Sequence, residues 1–459
     1  MGRMRDGAGL VATSCGMCLL GAALQADVPS ATGAMLIPPY EFHEPTNGPK
    51  PQAFGAQVAI SADGRTLAVA DPWYFGGSVW PWYGSGAVYV YGATDEGWQL
   101  HARLEPPDPQ GYDFFGADLS LSADGSVLAI GAEFEGRRLD PRTGDGFGAV
   151  FVFTREGGAW LQQAHVQSPK PQRLASFGRT VELSESGDTL VVGAPFESIS
   201  VEGTAQPSVG AVYVYRRSAA AWESEAVLRA PQPQADDRFG TALRLSANGR
   251  VIAVLAGEQN PDTENLETGE WDGRNNTLYV FEQGPNAWQL TATLEGDPAE
   301  PFFGGSAYAT EGQMEGFALN GDGSVLAVAS PVGAGVDGEA GYVRFYQADN
   351  GGWVRTQTTL VPALAERVQF GLRLTLSTDG ATLAAAALRD EGPYGRPYVV
   401  VFRDLGMQWS QVAAIESPSW PDPTSFGSSL ALSGTGERLV IGAQHFATES
   451  NQSGAAFVY

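Results

Sequence analysis

From Phe54 to Tyr459, short apolar runs alternate with polar turns in one recurring order. An alternating segment such as Val58-Ala-Ile-Ser-Ala-Asp-Gly64 is followed by a continuous apolar run, Thr66-Leu-Ala-Val-Ala70. A stretch of variable length leads to a β-rich run, Ala87-Val-Tyr-Val-Tyr91, and Trp98 then opens a fourth segment. Alternation at period two predicts strands with one face inward, and no stretch sustains a helical period. Each unit therefore reads as four short strands. Asp-Gly between two β-rich runs predicts a tight hairpin, because glycine accepts positive φ without steric cost.

The unit recurs about every sixty residues, and its anchors carry the register. A Phe-Gly pair stands at Phe54-Gly55, Phe115-Gly116, Phe177-Gly178, Phe239-Gly240, Phe370-Gly371 and Phe426-Gly427. The turn dipeptides follow at Asp63-Gly64, Asp124-Gly125, Ser186-Gly187, Asn248-Gly249, Asp379-Gly380 and Thr435-Gly436. A further copy has its turn at Asp322-Gly323 but carries Gln313-Met314 where Phe-Gly belongs. Phe303-Gly304 lies ten residues upstream, so this copy has either gained an insertion or drifted. Trp98, Trp160, Trp222, Trp288, Trp353 and Trp409 mark the fourth strands. Repetition at a fixed period means that each unit buries its faces against its neighbours. Seven four-stranded units predict an all-β, seven-bladed β-propeller of antiparallel blades. The recurrent Phe and Trp are read as packing between blades rather than as cofactor contacts.

The last unit stops at Gly454-Ala-Ala-Phe-Val-Tyr459 without a Trp strand. Ala34-Met-Leu-Ile-Pro-Pro39 matches Ala102-Arg-Leu-Glu-Pro-Pro107 and is expected to supply that strand, which would close the ring and cover an open edge.

The recurring string, clearest from Phe177-Gly178 through Gly193-Ala194-Pro195 to Gly210-Ala-Val-Tyr-Val-Tyr215, resembles the FG-GAP repeat of integrin α-subunit propellers and of bacterial secreted proteins. The resemblance spans residues 34–459. It implies ligand recognition through the face that carries the long loops. In that family several first hairpins are expanded into calcium loops of type DxDxDGxxD. Here the hairpin is only Ser61-Ala-Asp-Gly64 or its equivalent, and calcium needs six to eight oxygen ligands. No cofactor is expected; calcium stays possible in principle, but no family calcium site carries over.

Composition narrows the partners. A formal charge of −25 with only two lysines, Lys50 and Lys170, argues against nucleic acid and anionic membrane surfaces. Residues 1–26 read as a secretory signal, with Arg3 and Arg5 ahead of the apolar run Leu10 to Leu24, and residues 27–33 as a linker. Acylation at Cys15 is the alternative use of that segment. Both cysteines, Cys15 and Cys18, lie inside it, so a mature chain would hold no disulfide or thiolate. No later run is long and apolar enough to span a bilayer. Export to the cell surface or beyond is the expected location; oligomeric state is left open.

Candidate chemistry lies in the loops. Between Pro72 and Gly84 stand Trp73, Tyr74, Phe75, Trp80, Trp82 and Tyr83, either a ligand platform or a loop that folds over the rim or plugs the central channel with its own aromatics. Glu258 to Asp272 is acidic, with no spacing of a defined metal cage. The four histidines, His43, His101, His165 and His445, are scattered, and no HExxH or GxSxG motif occurs. The expectation is a non-enzymatic recognition or adhesion propeller that binds an extracellular protein or glycan. A lactonase- or glycosidase-like hydrolase working at the channel mouth is the alternative, and self-association a third reading.

Overall fold

The computed structural model describes residues 33–39, 53–74, 84–136, 146–201, 203–218, 221–257, 276–296, 303–304, 316–332, 340–363, 368–389, 395–406, 408–418, 425–448 and 451–459. Among them are seven four-stranded antiparallel sheets, two small hairpins and no helix. Blade 1 is built from Val58–Ile60, Thr66–Asp71, Ala87–Thr94 and Gly97–Leu104, paired in that order. Blades 2 to 6 repeat this order over residues 115–166, 180–228, 242–295, 317–360 and 368–416. The molecule is the β-propeller that the repeat predicts.

The last blade takes Phe426–Leu432, Leu439–Ala443 and Ala455–Val458 from the end of the chain and Ala34–Leu36 from its beginning. Ala34 lies opposite Val458, Met35 opposite Phe457 and Leu36 opposite Ala456. The closing strand is thus real but shorter than the six residues that the match suggests; Ile37 to Pro39 continue outside the ladder.

Seven apolar clusters fill the seven gaps between blades. The Phe of each Phe-Gly pair is buried in one of them. Six clusters also take a half-buried Trp, from Trp98 to Trp409. The cluster between blades 6 and 7 takes none, because Ala34–Leu36 carries no Trp.

The two motif glycines have a physical reason. Gly86, Gly148 and Gly210, just before the third strands, have φ of +90°, +77° and +83°. A Cβ there would run into the carbonyl oxygens of Phe115, Phe177 and Phe239 on the following blade. Phe115 N donates to Ser85 O at 3.0 Å, and Phe239 N to Val209 O at 3.0 Å, so the Phe-Gly of one blade locks onto the Gly-Ala of the preceding one. Within a blade, Gly55 N donates to Ala70 O at 2.9 Å. Gly304 N donates to Ala329 O at 2.8 Å in the same manner, and Phe303 is buried in the cluster of blades 4 and 5. Phe303-Gly304 therefore plays the Phe-Gly part in blade 5, and the copy holds an insertion after it. Gln313 and Met314 lie outside the described residues.

The tight turns are built by their serine. Ser61 Oγ accepts from Thr66 N at 2.9 Å and donates to Asp63 at 2.5 Å; Ser122, Ser246 and Ser377 accept in the same way. The turn aspartates are thus engaged in turn geometry. Burial pushes the Asp124 carboxyl up, but hydrogen bonds from Ser126 and Ser122 outweigh it and lower its pKa. At this end of the axis the turns also hold one another. Ala62 N donates to Ala123 O, Ala123 N to Glu185 O, and Glu185 N to Ala247 O, at 2.9–3.0 Å. Gly434 N donates to Ala62 O at 2.9 Å and so ties blade 7 to blade 1. A propeller leaves the innermost strand of each blade as an unpaired edge, and these bonds satisfy part of it.

Candidate functional site

The antiparallel order puts the Asp-Gly turns on one face. The connections after the second and fourth strands lie on the other, where the sequence places the candidate loop. Blade 1 reaches that face at Asp71. Its buried carboxylate accepts from Ala53 N at 3.0 Å and so fixes the chain entering the blade. Trp73 and Tyr74 follow, both half-buried. Phe75, Trp80, Trp82 and Tyr83 lie outside the described residues.

Tyr74 packs edge-to-face on Tyr89 at 6.3 Å, with the Arg103 guanidinium 5.3 Å from its ring centre. Burial raises its hydroxyl pKa, Arg103 opposing. Tyr74 is thus seated on its own blade. Trp73 turns to the next one. Its ring meets Phe114 at 5.0 Å, and Phe114 meets Phe134 at 5.5 Å, all edge-to-face. The three half-buried rings form a continuous ridge across blades 1 and 2. Phe114 and Phe134 lie in other repeats, 41 and 61 residues from Trp73 in the chain, and the sequence does not single them out.

The ridge stands on a connector held in an unusual conformation. Tyr112 and Phe114 have φ of +76° and +53°, and equivalent pairs recur at Leu174 and Ser176 and at Asp236 and Arg238. Asp113 between them is buried and accepts from Gln110 N at 2.8 Å. Burial pushes its pKa up to about 7; the carboxylates of Glu135 and Asp108 add to the rise, and backbone hydrogen bonds from Gln110 and Gly136 only partly offset it.

Two other acidic groups on this face are paired. Glu133 meets Arg179 of the next blade at 3.0 Å. The nearly buried Glu197 accepts from Arg229 and from the Tyr213 hydroxyl. Arg229→Ala leaves Glu197 buried against one neutral donor and is expected to cost about 2 kcal/mol, with Arg229 partly in solvent. Thermal melting checks this; a midpoint equal to that of the parent would show that the pair carries no stability.

Along the axis runs a channel of about 230 Å3, lined by the first strands of all seven blades. It has room for on the order of seven waters and falls below the usual size of a ligand pocket. Its polar side chains join neighbouring blades: Asp118 accepts from Val181 N at 2.8 Å, Ser120 from Leu183 N at 2.8 Å, and Glu182 pairs with Arg244 at 3.3 Å. The described residues contain no group of three or more metal-ligating side chains and no helix able to cross a membrane.

Residues 98–153 match the FG-GAP repeat family. The match opens at Trp98 on the last strand of blade 1 and ends in the third strand of blade 2. The other six blades repeat the strand order of the matched one. Residues 98–153 are an FG-GAP repeat, set in a seven-bladed propeller. The sequence unit is offset from the blade by one strand, the same offset that leaves the last blade to be finished by Ala34–Leu36. No curated protein matches the chain. Among solved structures, a chain of Kuenenia stuttgartiensis hydrazine synthase superposes with a TM-score of 0.51 at 12% identity, over 91% of this chain and 97% of that one. At that identity the likeness is one of fold.

Proposed function

We propose that this propeller is an exported, non-enzymatic recognition module that binds a protein or glycan through its long-loop face. The observation that carries this reading is the aromatic ridge of Trp73, Phe114 and Phe134, half-buried and continuous across two blades. Rings fixed by one another present apolar surface at little entropic cost, as binding platforms do. The paired state of Glu133, Glu182 and Asp118, which join blades, and of Glu197, which is held within blade 3, adds support. FG-GAP repeats are typical of extracellular or surface proteins, which agrees with export; residues 1–26 lie outside the described residues.

The test is binding of the purified chain to glycan and extracellular-matrix arrays, with calcium and with chelator, beside Trp73→Ala/Phe114→Ala. A specific signal that falls at least about tenfold in the variant is expected, as for loss of a central aromatic anchor. Binding unaffected by the double substitution would remove the ridge from the site. No binding under any condition would turn attention to hydrolase substrates.

A further inference from the structure

On the opposite face, between blades 1 and 2, lies a cleft of about 420 Å3. Its lining brings together Arg65, His101 and Arg155 with Asp63, Asp124 and Gly92. In a chain of net charge −25, three basic side chains in one cleft stand out. None of them has an ion-pair partner among the described residues. The two aspartates hold their own turns: Asp63 accepts from Ser61 Oγ and Arg65 N, and Asp124 from Ser122 Oγ, Ser126 Oγ and Ser126 N.

The repeat supplies an internal comparison. By register, the places of Gly92 and His101 are taken in blade 3 by Arg216 and Glu225. There Arg216 Nε meets Glu225 at 2.7 Å. The same carboxylate accepts from Gln283 Nε2 at 3.1 Å and from Trp288 Nε1 at 2.9 Å, both on blade 4. Between blades 3 and 4 an internal carboxylate therefore gathers the donors of two blades. Between blades 1 and 2 the arginine is replaced by a glycine whose missing Cβ makes way for the His101 ring, and the carboxylate is replaced by that histidine. Arg155 takes the place of Gln283, and the neighbouring Trp160 Nε1 makes no hydrogen bond. Trp222 and Trp353 leave their Nε1 in the same state, so the indole alone does not mark the cleft; the basic trio does. Basic side chains line this cleft, and no carboxylate stands at the position that Glu225 holds between blades 3 and 4.

We propose that this cleft binds a carboxylate-bearing small molecule, whose carboxylate takes the place that Glu225 fills between blades 3 and 4. Planar guanidinium groups pair with a carboxylate through two parallel hydrogen bonds, which favours it over a neutral sugar of equal size. The site is separate from the aromatic ridge and stands or falls independently of it.

The experiment is calorimetric titration of the full chain with glucuronate, and with glucose as its neutral counterpart. Saturable binding of glucuronate alone is expected, weakened by added salt. Arg155→Gln, at an exposed position, should lower the affinity about tenfold or more. Gly92→Arg/His101→Glu rebuilds the blade 3 pair inside the cleft and should abolish binding while keeping the thermal midpoint. If that variant does not fold, Arg65→Gln/Arg155→Gln, both exposed, takes its place with the same expected loss. Equal heats for glucuronate and glucose overturn the proposal, as does glucuronate binding that survives in a folded double variant.

Discussion

Removing Ala34–Leu36 should lower the stability of the propeller by about 3–5 kcal/mol, the sum of a few ladder hydrogen bonds and the burial of Leu36. The effect goes beyond three residues, because this strand is the only covering of the outer edge of Ala455–Val458 among the described residues. Val458 and Ala456 belong to the cluster between blades 7 and 1, and Phe457 to that between blades 6 and 7. Loosening Ala455–Val458 therefore disturbs two interfaces. The bared edge is also a template for pairing with a second chain. Thermal melting and sizing of the deletion variant check both consequences. A midpoint equal to that of the parent would show that the ring is held by the other contacts between blades 7 and 1, chiefly Gly434 N to Ala62 O and Phe54 N to Ser453 O.

The second large effect is on pH. Asp113 titrates near 3.8 when unfolded and near 7 in the folded chain. Between these values the folded state holds more protons than the unfolded one, so stability falls as pH rises. The contribution is full below about pH 4 and gone above about pH 7; a shift of this size amounts to about 4 kcal/mol. Asp113→Asn keeps the acceptor for Gln110 N and cannot ionise. It should leave stability nearly unchanged at pH 4 and raise the melting midpoint by a few degrees at pH 8. The comparison between the two proteins cancels the repulsion of the −25 net charge, which acts on both. Parallel midpoint curves from pH 4 to 8 would show that Asp113 is ionised throughout. Since Asp113 lies between the strained Tyr112 and Phe114, its charge also bears on the footing of the aromatic ridge.

Much of this molecule is written in local pattern. Alternation at period two, the Ser-x-Asp-Gly turn and the spacing from Phe-Gly to Trp depend on residues a few positions apart, and strand, turn and blade order follow from them. The closing strand was legible because a repeat with a missing member must take it from elsewhere. Even the departure in blade 5 was half-visible: two candidate pairs stood in the sequence, and the hydrogen bond from Gly304 to Ala329 decided between them.

What the sequence by itself determined is the all-β class, the seven blades, the inter-blade role of Phe and Trp, and the side of the disc on which the variable loops emerge. The tertiary structure alone decided which side chains meet across the gaps. Glu182 and Arg244 lie 62 positions apart, Asp118 and Val181 63, and Glu133 and Arg179 46. No local signal marks such partners, because their meeting depends on how one blade turns against the next. The same holds for Trp73 with Phe114 and Phe134, and for Arg65 with Arg155. A ridge or a basic cleft is a property of two blades at once, and the repeat specifies each blade's strands without specifying what its loops and edges will face.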